Sequence, residues 1–212
     1  MWYRLMKIIS YIFAGIIGWF ISAILRNFSK PYLVITPLED SLNTNPGSHK
    51  FLHIKIENRK RRWWKKFLFG ERAALFCRAY IKYIGPDDNH ELISGPLSGR
   101  WSSTGEPVLQ VGNQRHFQYN RVPDLRFEHI MPGDSVNLAV AVKINGDQEF
   151  YAFDNVSYAY LHEAFRDPNK KMDKKTCDVL IKIVTTDGFY REKKFRICNP
   201  TQQLGNFKFL ND

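Results

Sequence analysis

The chain has 212 residues, with 31 Lys or Arg against 21 Asp or Glu and a formal net charge of +10. With 44% hydrophobic and 15% aromatic residues it can bury a substantial core, which excludes a disordered polycation, and three cysteines are too few for a disulfide scaffold. It carries a single long apolar run, which excludes a multi-pass channel or transporter.

That run comes first. Eighteen uncharged residues, Ile8 to Leu25, are bracketed by Arg4 and Lys7 before and by Arg26 and Lys30 after. A helix of this length rises about 27 Å against a hydrocarbon core of roughly 30 Å, so the run predicts one N-terminal transmembrane helix. Ser22-Ala23-Ile24-Leu25-Arg26 puts bulk and charge where a leader-cleavage site needs small residues, which favours a retained anchor. Residues 1–30 are therefore expected to be the anchor with its flanks, and 31–212 a single β-sandwich domain. Ser10, Ala14, Gly18 and Ser22 recur every four residues along the span, a stripe that lets two membrane helices approach closely and so allows a homodimer.

From Tyr32 onward the apolar period is two. Leu52, Ile54 and Ile56 alternate with His53, Lys55 and Glu57. The next segment, Arg59 to Arg72, holds seven cations against one carboxylate, a net +6 out of the +10 of the whole chain. A solvated loop is the ordinary reading of such a run. Single-stranded nucleic-acid surfaces also mix cations with stacking aromatics. Membrane interfaces place Trp at the headgroup level and Lys or Arg against anionic lipid, each cation contributing about 1 kcal/mol.

Chain direction chooses among these readings. A first strand leaving the anchor over Tyr32 to Thr36 and a second returning over Phe51 to Glu57 deliver the segment to the membrane-proximal end. We therefore expect Arg61, Arg62, Trp63, Trp64, Lys65, Lys66 and Phe67 to form a membrane interface on anionic lipid headgroups, in preference to nucleic acid. Counting these cations beside the span favours a cytoplasmic domain under the positive-inside rule. The extracytoplasmic alternative would make Asn155-Val156-Ser157 a glycosylation acceptor.

Further along, Cys77, Ala79, Ile81 and Tyr83 form a second stripe. Asn89 to Asp124 is rich in Gly, Ser, Pro and Asn and is expected to hold edge strands and long loops. Val136, Leu138, Val140, Val142 and Ile144 form the longest stripe, after the turn Met131-Pro132-Gly133-Asp134. Tyr158 to Phe165 can form a short helix before Asp167-Pro168. In the final hairpin a two-residue loop at Asp187-Gly188 would set Cys177 opposite Cys198 and put Val179, Ile181 and Ile183 against charged residues. A three-residue loop pairs Val179 with Phe195 and Cys177 with Ile197 instead. A slip of one residue flips a whole strand, so hydrophobic matching selects the three-residue loop and puts the two cysteines on opposite faces, unbridged.

These runs and turns read as seven to ten antiparallel strands in a sandwich, with the stripes facing one core. The Met131–Asp134 turn into Val136-x-Leu138-x-Val140-x-Val142, and the Val179 to Phe195 hairpin, resemble immunoglobulin-like sandwich domains. The resemblance implies an all-β, immunoglobulin-like antiparallel fold and no particular activity.

No catalytic residue, cofactor or metal site is expected. The six histidines lack ligand spacing, Asp87-Asp88-Asn89-His90-Glu91 lacks the glycine of a calcium loop, and there is no Gly-x-Ser-x-Gly elbow or phosphate-binding Gly-rich loop. The expected function is a membrane-anchored binding or scaffolding module for a protein partner. The rival is a membrane-tethered hydrolase with its site in 89–124, which a pocket of convergent Asp, Glu or His would favour.

Overall fold

A two-residue period obliges a strand to present one face to a core, and in the computed structural model, which describes residues 2–28, 30–38, 49–87, 90–104, 108–111, 114–117 and 127–210, these runs are strands. Helix α1 (Trp2–Phe28) is followed by β1 (Leu33–Pro37), β2 (His49–Asn58), a short helix α2 (Trp63–Phe69), β3 (Ala74–Ile84), β4 (Leu97–Ser98), β5 (Arg100–Trp101), β6 (Val108–Val111), β7 (Gln114–Phe117) and β8 (Glu128–Ile130). Then come β9 (Ser135–Ile144), β10 (Phe150–Ala152), a 3-10 segment (Asn155–Glu163), β11 (Lys171–Met172), β12 (Thr176–Val184), β13 (Tyr190–Cys198) and β14 (Lys208–Leu210). One antiparallel sheet runs β1-β2-β9-β10-β11 with β5 also on β9, a second runs β14-β13-β12-β3-β4 with β8 also on β3, and β6 and β7 pair only with each other. Among the described residues there are fourteen strands where seven to ten were expected, and eight of them have four residues or more. The remainder are pairings of two or three residues, too short to leave a period in the sequence.

The sheets close on one core. Leu33, Ile35, Leu52, Ile54 and Ile56 of the first face Cys77, Ala79, Ile81, Cys177, Val179, Ile181 and Ile183 of the second. The β9 stripe departs from expectation. The β2–β9 register shifts between Leu52 and His53, which pair with Ala141 and Ala139, so Val140 is an extra residue in β9. A bulge of this kind re-aims every later side chain. Leu138 and Val140 stay in the main core, but Val142 and Ile144 turn to the opposite face, where they pack with Phe51, Phe153 and Phe165. The expectation that Val142 shares the core of Leu138 is thus corrected by one inserted residue. The Val140 carbonyl, displaced from the β2 ladder, accepts from the Phe153 amide at 2.8 Å and from the buried Tyr83 hydroxyl at 2.5 Å. The same flip buries Lys143 completely. Its ammonium donates to the Thr201 carbonyl at 2.8 Å and to Asn199 Oδ1, and burial holds its pKa below the ordinary lysine range.

The final hairpin has the register that hydrophobic matching requires: Val179 faces Phe195, Cys177 faces Ile197, and Gly188 takes φ +77 in the turn. Cys177 is buried and Cys198 half-buried on the other face, and all three cysteines are free. Burial pushes the Cys77 and Cys177 thiols up to about 12, so neither carries appreciable thiolate at neutral pH. On the outer face of this hairpin Asp178, itself buried, is gripped by Arg196 at 2.6 and 3.1 Å and by Lys194 at 2.7 Å. The Arg196 hydrogen bond, with Lys194 adding to it, lowers the Asp178 carboxyl below the usual range.

Along α1 every described side chain from residue 11 to 25 is exposed, Phe13, Trp19 and Phe20 among them. Among the described residues, no helix is long and apolar enough to cross a membrane.

Candidate functional site

Because β2 runs antiparallel to β1, with Leu33 opposite Asn58, the chain leaving β2 emerges beside the chain leaving α1. Asn58 ties this end together. Its buried side chain accepts from the Tyr32 amide at 3.1 Å and donates to the Arg72 and Ile130 carbonyls, each at 2.9 Å. Its backbone accepts from Gly133 at 2.6 Å and donates to Asp134 at 3.0 Å. One asparagine therefore joins the α1 exit, the end of β2, the return from α2 and the turn after β8. Nothing in the sequence pattern singled it out. The available signal was a polar amide closing an apolar stripe just before a cationic run.

The basic aromatic segment, expected as a loop, contains α2. No Gly or Pro interrupts residues 59–69, and Gly70 stops the helix at φ +67, a conformation other residues adopt only with strain. Arg59 donates its amide to the Tyr32 carbonyl at 3.0 Å, and the Arg61 guanidinium donates to the Lys30 carbonyl. The segment is thus pinned against Lys30–Tyr32, where chain direction places it. Trp63 is 82% exposed, Phe67 86% and Trp64 43%. Two large apolar side chains of a seven-residue helix, Trp63 and Phe67, project almost wholly into solvent with Trp64 half-exposed beside them, against the usual fate of such residues.

The cations divide into two groups. Lys66 pairs with Glu71 at 3.2 Å and Arg59 with Glu57 at 3.4 Å. Lys30, Lys60, Arg61, Arg62 and Lys65, with Arg191 from β13, line a cavity of about 650 Å³ together with Tyr32, Leu33 and Phe189, and no acidic residue is among its described lining. Lys65 lies over the Trp64 ring at 5.1 Å and Lys30 over Phe189 at 6.0 Å, which steadies two of the ammonium groups. Of the residues expected at the interface, Arg61, Arg62 and Lys65 line this cavity, while Trp63 and Phe67 are outside its lining and exposed. Arg191 and Phe189 were missed because they come from a hairpin more than a hundred residues downstream.

The same end carries a second exposed apolar group. Leu75 and Phe76 are each 45% exposed and Met131 49%, and Phe76 holds φ +49 where β3 and β8 lose register. The Phe76 ring packs on Phe127 and His129 at 5.0 and 4.5 Å. The Thr186 amide, in the β12–β13 turn, donates to the Leu75 carbonyl at 3.2 Å, so this group adjoins the hairpin that supplies Phe189 and Arg191.

Of the small-residue stripe, Ala14, Gly18 and Ser22 are exposed along α1, and the Ser10 side chain lies outside the described residues. Part of the expected hydrolase region 89–124, namely residues 89, 105–107, 112–113 and 118–124, also lies outside them. Within that region Arg100 is buried and donates to Asn155 Oδ1 at 3.2 Å and to the Thr104 carbonyl at 3.0 Å. Another buried polar group joins Ser157 Oγ, 3.4 Å from Lys170 Nζ, to Asp154 Oδ1 at 3.1 Å. Ser157 and Asp154 cap the 3-10 segment reciprocally, and Ser157 is 1% exposed, so no substrate reaches it. Asn155 is equally closed at 3% exposure, which leaves no room for a glycan in the folded domain. Among the described residues no group of three His, Cys, Asp or Glu could hold a metal ion. Neither a protein-family model nor a curated protein matches this sequence, so its function has to be read from this geometry.

Proposed function

We propose that the chain is a single-pass membrane protein whose α1 anchors an immunoglobulin-like β-sandwich, and that the sandwich docks its α1 end on anionic lipid while serving as a binding or scaffolding module for a protein partner. The observation that carries this reading is the exposure of Trp63, Trp64 and Phe67 on a cationic helix pinned beside the α1 exit. Tryptophan and basic side chains are both favoured at a headgroup interface. The anchor is supported by the uncharged run Ile8 to Leu25 and by the exposed apolar side chains along residues 11–25. Ala14, Gly18 and Ser22 on that helix offer a contact for a second copy. The immunoglobulin-like assignment is supported by strand order: β1-β2-β9-β5 in one sheet and β13-β12-β3-β4 in the other follow the A-B-E-D and G-F-C-C′ order of such sandwiches. Free cysteines and cations at the anchor end favour a cytoplasmic domain.

A chain beginning at residue 30 is expected to sediment with vesicles of mixed phosphatidylserine and phosphatidylcholine at low salt, and to ignore pure phosphatidylcholine. Salt is expected to release much of it as the Debye length shrinks from about 10 Å at 0.1 M to about 3 Å at 1 M. A chain that stays in the supernatant with anionic vesicles at low salt would overturn the docking reading.

A further inference from the structure

We infer that the cavity beside α2 is a defined site for a multiply phosphorylated lipid headgroup, so that docking selects one class of anionic lipid. The inference rests on the docking reading above and adds a ligand class to it. Its basis is that the six cations come from three separate parts of the chain. Lys30 is at the α1 exit, Lys60, Arg61, Arg62 and Lys65 run from the end of β2 into α2, and Arg191 is on β13 in the other sheet.

A diffuse membrane patch needs cations only on the outward face of one helix. This fold brings an arginine from the opposite sheet to close a concave wall, and directs the two neutralised cations, Arg59 and Lys66, to Glu57 and Glu71 outside it. None of the six cavity cations is ion-paired with a carboxylate among the described residues, so their charge is uncompensated until an anion enters. A phosphomonoester brings a charge of about −1.5 to −2 at neutral pH. Six cations therefore match about three phosphates and exceed what a single phosphodiester requires. The volume of about 650 Å³ is that of a small-molecule site and larger than one phosphate needs.

Arginine forks bind phosphate through paired N–H donors, and Arg61, Arg62 and Arg191 supply three of them. The Tyr32 and Phe189 rings in the lining offer flat apolar surface to a sugar-like ring. Lipid is favoured over a free anion as the source because Lys30 and Pro31, at the end of the anchor, form part of the wall, and because Trp63 and Phe67 stand exposed beside it.

The test uses the full chain in nanodiscs, with amine-labelling footprints read by mass spectrometry. Nanodiscs containing phosphatidylinositol bisphosphate are compared with others carrying the same charge as phosphatidylserine. Lys30, Lys60 and Lys65 are expected to be protected by the phosphorylated lipid well beyond the charge-matched discs, with Lys66 changing little. Arg191→Gln, an exposed substitution on the far sheet, is expected to weaken that protection about tenfold, the worth of one charge-assisted contact. Equal protection by the two lipids, or no effect of Arg191→Gln, would overturn the site while leaving docking intact. Protection in neutral discs by added inositol trisphosphate at the same concentration as the lipid headgroup would overturn the lipid source. No protection by either anionic lipid at low salt would defeat the docking reading itself, and this inference with it.

Discussion

Replacing Arg61, Arg62, Lys65 and Lys66 together by glutamine is expected to lower partitioning onto anionic vesicles by roughly a hundred- to a thousandfold. Each basic residue at a membrane surface contributes about 1 kcal/mol, and about 1.4 kcal/mol is a factor of ten. Lys66 counts for less than the others because Glu71 sits 3.2 Å from its ammonium. The salt dependence should flatten in the same variant, since the screened part of the attraction has been removed. Replacing Trp63, Trp64 and Phe67 by alanine should do the reverse. Salt sensitivity is kept, while the salt-resistant part falls by on the order of 1 kcal/mol per ring, less than full burial of such side chains. All seven side chains project from or flank α2, and its outward rings pack against nothing in the sandwich core, so melting temperatures should move little. Vesicle sedimentation across a salt series, with calorimetry of each variant, separates the two contributions.

Lys170→Ala is expected to be the most damaging single substitution in the fold, at about 3–5 kcal/mol. The Lys170 ammonium lies 2.6 Å from Asp154 and 3.1 Å from Asp167, with all three side chains at 8% exposure or less. Its removal strands two carboxylates in the interior, and the desolvation of an unpaired buried charge exceeds anything the remaining amide donors return. Asp154 also caps the 3-10 segment through the Val156 and Ser157 amides, so the loss should spread to that cover over Phe51, Phe153 and Phe165. Urea unfolding of the chain beginning at residue 30 checks the magnitude. Vesicle binding below the transition should be unaffected, because this cluster is no part of the α2 end.

What was legible in the sequence was whatever depends on near neighbours. Hydrophobic matching set the β12–β13 register, because a one-residue slip would have faced Val179, Ile181 and Ile183 with charges. Chain direction placed Arg59–Arg62 beside Lys30, because a returning strand must end where the outgoing one began. Three features were not legible. The bulge at Val140 adds one residue inside an unbroken alternation, and only the partner strand shows that the pattern has changed face. Asn58 is an ordinary polar residue until the Arg72 and Ile130 carbonyls arrive from elsewhere. Arg191 and Phe189 belong to the cavity through sheet packing, which no local period records. The basic and aromatic residues of α2 were visible by their chemistry, and the concave surface they share with another sheet was not.

The central claim, that the α1 end of the sandwich meets an anionic bilayer, is tested most directly by tryptophan quenching on vesicles of brominated lipid. In a chain beginning at residue 30 the tryptophans are Trp63, Trp64 and Trp101. Trp101 is fully buried in the core and should not respond, whereas Trp63 and Trp64 are exposed. On anionic brominated vesicles the emission should shift to the blue and be quenched, and Trp63→Phe with Trp64→Phe should abolish both changes. Unquenched, unshifted emission from a chain that sediments with those vesicles would show that some other surface makes the contact.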